Sequence, residues 1–376
     1  NRSNYYPLSL TRPISHFRIG ILTVEEKWKI YCKSVSVKTD DYLSQKFAIN
    51  QTQDNIWINS QILPSQELIV ELKNLREGES LTKDNEVFAF RNRLFDFERL
   101  NAIESNVKLN IINNLTDIFL NNFSEIENDF KIFTNNKSNT LNNTNICLGN
   151  QIFIDNGADI RCSILNSEKG PIYIGKNVEI MEGSIIQGPC AILDNAVLKM
   201  GSKIYGGTTI GPYCKIGGEV SNSIFFGYSS KAHDGYLGNS IIGEWCNLGA
   251  NTNVSNLKNN YANIKLWNYN YEKFIDTGLQ FCGLIMGDHS KSGINTMFNT
   301  GTIIGVGVNI FGAGFPRNFI PSFSWGGAHG FQNYQVDKFF DVASKVCFRR
   351  NIKFGKIDQE ILLFVYNMTK RYRNEV

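Results

Sequence analysis

The chain has 376 residues, 42% of them apolar and 19% charged, with a net charge of +3. That is enough apolar material for two or three packed units, and too little net charge to point to a nucleic-acid or membrane partner. No run of 18 apolar residues marks a transmembrane helix, and no signal-peptide pattern opens the sequence, so a cytoplasmic protein is expected. In chain order, residues 14–31 mix helix-like and strand-like patterns with a break at Gly20, and residues 33–37 alternate like a strand. Residues 56–62 predict another strand. Ser65 then caps a helix bearing Leu68, Ile69, Leu72 and Leu75, which ends by Gly78, and residues 87–90 predict a short strand. Strands alternating with helices imply an α/β unit over residues 1–105. Residues 106–150 read as a linker, with helical spacing at Ile118, Phe119, Phe123 and Ile126 and then an Asn-rich stretch over residues 134–145.

Residues 174–221 repeat with a period of six. Ile174, Ile180, Ile186, Ile192, Leu198, Ile204, Ile210 and Ile216 lead successive units, and four residues after each stands a small or β-branched residue, from Val178 to Val220. Neither a helix nor a plain strand has that period, so a stacked solenoid of short strands and turns is predicted for residues 151–316. Three hexads make one coil, and each coil adds about 4.8 Å of height. Leads at Ile154 and Ile160 precede the run, with an insertion at residues 168–171. After Val220 the register slips near Ser223 and resumes at Ile242 and Leu248. It leaves the solenoid over residues 255–277 and returns at Met286, Ser292, Phe298, Ile304 and Ile310. Residues 317–376 predict an aromatic, Gly-rich loop and two C-terminal helices. One carries Val336, Phe339, Phe340, Ala343, Val346 and Cys347, and the other Ile361, Leu362, Val365, Met368 and Tyr372.

A regular solenoid is chemically quiet, so the breaks are where chemistry is expected. The sharpest break, residues 229–248, holds His233, one of four histidines, and Asn256 opens the excursion that follows. An imidazole suits proton abstraction near neutral pH, and a neighbouring amide or hydroxyl suits a polar substrate or an oxyanion. On spacing alone, a loop-capping histidine is an equal reading. A histidine-held metal is short of ligands, since only His233 and His289 fall within the repeat. The eight cysteines form no C-x-x-C pair, which fits a reducing compartment.

The segment Lys231-Ala232-His233-Asp234-Gly235-Tyr236-Leu237-Gly238, with Asn247-Leu248-Gly249-Ala250-Asn251-Thr252 and Asn256 after it, resembles the acetyltransferase half of bacterial GlmU enzymes. That resemblance implies a left-handed parallel β-helix of hexapeptide repeats, a homotrimer, and acetyl transfer from acetyl-CoA to an amino-sugar phosphate. It implies His233 as the general base, with Tyr236 and Lys231 at the substrate and Asn256 at the sugar or the developing oxyanion. The cofactor arm would lie along the later coils, beside Gly301, Gly305 and Gly312. The N-terminal stretches 7–13 and 18–28, together with residues 315–327, resemble the GlmU-like sugar nucleotidyltransferase group, which joins a short nucleotidyltransferase-type domain to such a solenoid. Arg12 and Arg18, with Arg2 and Lys27, are candidates to bind phosphates there, although a solvated face is the favoured reading of such charges, and Mg²⁺ is expected only if the N-terminal domain is active. Two other functions stay open: a sugar-1-phosphate nucleotidyltransferase with the solenoid as trimer scaffold, and a silent sugar-nucleotide-binding assembly protein.

Overall fold

The computed structural model describes residues 2–133, 141 and 143–373; most of the Asn-rich stretch expected as a linker lies outside the described residues. The chain divides into two compact units. One comprises residues 12–17 and 22–115, and the other residues 1–11, 18–21 and 116–376.

The smaller unit contains a four-stranded sheet ordered Ile56–Ile58, Glu86–Arg91, Glu79–Lys83, Asn101–Glu104, in which only the last pair is parallel. Two longer helices and the single turn Asp41–Ser44 accompany it. Val24–Tyr31 starts at a capping box in which Thr23 and Glu26 each accept from the other's backbone N–H. Gln66–Asn74 starts at Ser65, whose hydroxyl accepts from Leu68 N at 3.2 Å. Trp28 sends its indole N–H to Ile62 O at 3.0 Å and fixes the first helix to the strand Ile62–Leu63. The strand expected at residues 33–37 does not form: the segment joins no sheet and is tied instead through Ser36 Oγ, which accepts from Asn50 N at 2.9 Å, because alternation supplies a face and not a strand partner.

The larger unit is a left-handed parallel β-helix. Its first face stacks nine strands from Ile152–Ile154 to Phe319–Ile320, and its second stacks nine from Asp159–Ile160 to Ser324–Gly327, which the antiparallel strand Gly330–Asn333 then edges. A third face of six runs from Ile146–Leu148 to Tyr236–Gly238 and is prolonged by the pair Asn253–Val254 and Met297–Phe298. The eight leads of the sequence repeat are inside, each no more than 2% exposed, and they stack lead upon lead, as in Ile174 on Ile192 and Ile180 on Leu198. Adjacent coils lie close to the inter-strand spacing, so each lead packs on the one above and below.

Past Ile216 the structure corrects the reading of the register. Val220, read as a small position, lies directly over the lead Ile204, so the path from one lead to the next is shortened to four residues. Phe225 follows over Ile210, Lys231 over Ile216 and Leu237 over Val220. No coil is broken between residues 229 and 248. The repeat continues, with Lys231 in the column that holds Ile180, Leu198 and Ile216 below it.

Three elements are laid on the solenoid. The helix Leu115–Phe133 buries Asn122 completely. Asn122 Nδ2 donates to Gly207 O at 2.7 Å, and its Oδ1 accepts from Gly20 N at 2.7 Å. Thr209, on the outside of the first face, donates to Gly20 O at 2.9 Å in the same knot. Residues 2–10, in short 3₁₀ turns, bury Tyr5, Leu8 and Leu10, and Thr11 Oγ1 donates to Asp288 at 2.7 Å. The helices Val336–Phe348 and Lys356–Met368 form as expected, followed by the short turn Lys370–Arg373. They seat on the last coils through Phe323, whose ring meets Phe339 at 5.0 Å and Tyr366 at 5.1 Å, and through Arg373, which donates to Ser322 O at 3.0 Å.

Candidate functional site around His233, Tyr236 and Asn256

The turn bearing His233 leads from the second-face strand Ser230–Lys231 to the third-face strand Tyr236–Gly238. Its shape is set from below and above. Lys231 is 1% exposed, and its ammonium donates to Gly217 O at 3.0 Å and to His233 O at 2.9 Å. A lysine stem fills an aliphatic position well, and its head is satisfied only by such carbonyls. Burial pushes its pKa down to about 8, with Asp234 acting in the opposite direction. On the other side, Asn251 N donates to Asp234 O at 3.0 Å. Gly235 has φ +115°, and a Cβ there would lie 2.2 Å from Thr252 O, so the turn needs glycine at that point. The His233 side chain itself is exposed.

Tyr236 and Asn256 meet. Asn256 Nδ2 donates to the Tyr236 hydroxyl at 3.0 Å and to Asn239 Oδ1 at 2.8 Å, while Tyr236 N donates to Asn253 Oδ1 at 2.9 Å. The phenol accepts from Asn256, so its own proton remains available to an outside acceptor. Burial raises the Tyr236 pKa, against the Asn256 hydrogen bond, so the group is a neutral donor near pH 7. Gly238 makes the pair possible: a Cβ there would stand 2.3 Å from the Tyr236 hydroxyl and 2.6 Å from Asn256 Nδ2. Along the outside of the third face, Tyr236 lies over Glu219, and Glu219 over Lys203.

The remaining expected site residues are scattered. Lys231 points into the solenoid, so what it touches is the His233 turn. Arg12 is buried in the smaller unit, whereas Arg18 belongs to the larger one and donates to Ile21 O at 2.5 Å. Gly301 is covered by the excursion, since a Cβ would meet Ile264 and Lys265 O at 2.6 Å. Gly305 is covered by the next coil at Ser322, and only Gly312 is open. Asn239 and Asn253 went unnoticed in the sequence. Both follow from the fold, because each stands where the turn of one coil meets its neighbour, a proximity that linear spacing does not encode. Among the described residues, no group of three or more His, Cys, Asp or Glu side chains could hold a metal ion, and no helix is long and apolar enough to cross a membrane.

Fold and site together define a hexapeptide-repeat β-helix protein. Residues 1–138 match the family model described as sugar nucleotidyl transferase. The chain is 29% identical over 167 residues to a bifunctional sugar-1-phosphate nucleotidylyltransferase/acetyltransferase of Sulfurisphaera tokodaii, covering 44% of this chain and 40% of that protein. It is 37% identical over 87 residues to the bifunctional protein GlmU of Methanocaldococcus jannaschii, covering 23% and 21% respectively. The chain thus spans less than half the length of these curated relatives. Among solved structures it is similar to the polySia-specific acetyltransferase NeuO, with TM-score 0.31 and 13% identity over 51% of this chain and 86% of that one. Residues 1–138 are thus similar to sugar nucleotidyl transferases, and the chain matches bifunctional nucleotidylyltransferase/acetyltransferases over part of their length.

Proposed function

We propose that the solenoid transfers an acyl group, acetyl by preference, from CoA to the amino group of a sugar phosphate or nucleotide sugar. The observation that carries this reading is the exposed imidazole of His233 on a rigid turn, followed by the hydrogen-bonded pair Tyr236 and Asn256. In the step, the amine nitrogen bonds to the thioester carbonyl carbon, His233 takes the proton lost by the amine, and the C–S bond breaks to release the CoA thiol. General-base catalysis of this kind is worth about 10²–10⁴-fold. Tyr236 would hold the sugar or its phosphate through its hydroxyl proton, and Asn256, whose two amide N–H groups go to Tyr236 and Asn239, would fix Tyr236 in place. Lys231 would act as a positioning residue, through the carbonyl of His233. The CoA arm would reach the open turn at Gly312, with Gly301 and Gly305 supporting the covered coils beneath it. A homotrimer with the site at a seam between two solenoids, in a cytoplasm that keeps the eight free cysteines reduced, completes the proposal.

The match of residues 1–138 favours a second reading, nucleotidyl transfer from a nucleoside triphosphate to a sugar-1-phosphate with Mg²⁺, in which Arg12 and Arg18 would face phosphates. One panel tests both. The full chain is incubated with acetyl-CoA and amino-sugar phosphates while free thiol is followed, and separately with nucleoside triphosphates, Mg²⁺ and sugar-1-phosphates while pyrophosphate is followed. Acceptor-dependent thiol release supports acyl transfer; pyrophosphate release with no thiol release replaces it by the second reading.

A further inference from the structure

Away from His233, the excursion from the repeat folds into an antiparallel hairpin, Lys265–Asn268 with Lys273–Asp276. Between this hairpin, the last coil and the C-terminal turn lies a cavity of about 600 Å³, a volume suited to a nucleotide-sized molecule and far larger than a simple anion needs. Its wall is aromatic. Trp267 stacks on Phe319 at 4.3 Å and 9°, and Phe274 meets Trp267 edge-on at 5.4 Å while remaining 42% exposed. Lys258, Lys265 and Arg317 also line it, and no carboxylate does. Asp276, opposite Lys265 in the hairpin, is turned to its own loop, where it accepts from Gly278 N at 2.8 Å. Lys258 donates to Asn263 O at 2.7 Å, and the Arg317 guanidinium rests 5.6 Å from the Phe331 ring, so neither head is tied to a carboxylate by these contacts. The buried indole N–H of Trp267 has no acceptor.

We propose that this cavity binds a nucleoside phosphate, with the base against Phe274 and Trp267 and the phosphates on Lys258, Lys265 and Arg317. Flat rings and unneutralised cations together select a base that carries phosphate and discriminate against either part alone. Two sources share this chemistry: the adenosine phosphate end of a CoA ester, and the nucleotide of a nucleotide sugar. The inference goes beyond the acyl-transfer reading, since binding here needs no turnover.

Calorimetric titration of the full chain with adenosine 3′,5′-bisphosphate, UDP and inorganic phosphate tests it. At least one nucleotide should bind with one site per chain, and inorganic phosphate much more weakly. Tighter binding of the bisphosphate assigns the site to the CoA end, and tighter binding of UDP to a nucleotide sugar. Arg317→Ala, Lys265→Ala and Phe274→Ala should each weaken the preferred nucleotide about tenfold or more, with unchanged thermal melts showing that the fold is kept. No binding of either nucleotide, affinities untouched by all three substitutions, or phosphate binding as tightly as nucleotide would overturn the proposal. A chain that binds nucleotide here yet releases no thiol with any acceptor would leave this inference standing while the acyl-transfer reading fell.

Discussion

Replacing Lys231 by methionine keeps an unbranched stem at a lead position and removes the only ammonium stacked on Ile216. In the folded chain, burial lowers the pKa of Lys231 from 10.5 to about 8. A folded value below the unfolded one means that the unfolded chain binds more protons between these two limits, so stability rises with pH across that window. The cost of holding the charge inside is present in full below about pH 8 and is relieved as pH climbs towards 10.5. Between about pH 7 and about pH 10 the wild-type chain should therefore gain about 2.5 kcal/mol relative to Lys231→Met, which lacks the group. Buried thiols act in the opposite sense: Cys214 and Cys282 are each pushed up to about 12, so they lose stability as the unfolded thiols ionise. That loss is common to both proteins and cancels in the difference. Urea unfolding of each protein at the two pH values, followed by tryptophan fluorescence, gives the double difference. Parallel pH dependences would refute the interior placement of a titrating Lys231.

Gly238→Ala puts a methyl group on the Tyr236–Asn256 pair, so kcat/KM for acyl transfer should fall about 100-fold, and steady-state assays that find no loss would detach this pair from the chemistry. Asn122→Ala strands Gly20 N and Gly207 O between the Leu115–Phe133 helix and the coils; the cost is about 2–4 kcal/mol, read by urea unfolding, and an unchanged midpoint would deny the knot its structural part.

The solenoid was legible because its signal is local and repeated. Ile174 to Ile216 each place one aliphatic side chain in a column whose neighbours are the same residue types, so a single strand-and-turn unit dictates all the others. The helix at Gln66–Asn74 was legible for a similar reason, since Ser65 and the Leu68, Ile69, Leu72 stripe lie within one window. What escaped was non-local or disguised. Lys231 does not read as a core residue, because its fitness depends on two carbonyls, one of them fourteen residues away. With that lead hidden and the coil shortened at Val220, an intact coil looked like a break. His233 was singled out both by that apparent break and by the motif, and with the coil intact only the motif still marks it. The companions Asn239 and Asn253, and the burial of Asn122, depend on which coil or helix stacks on which, and the sequence carries no mark of that before folding.

The central claim is that His233 removes a proton from an amine at the turn above Lys231. Its most direct test is the acetyl-CoA-dependent transfer rate of the full chain beside His233→Ala, on whichever amino-sugar phosphate the wild type accepts. A general base at this position predicts a fall of about 10²–10⁴-fold in kcat with an unchanged melt. A variant that retains the full rate would contradict it.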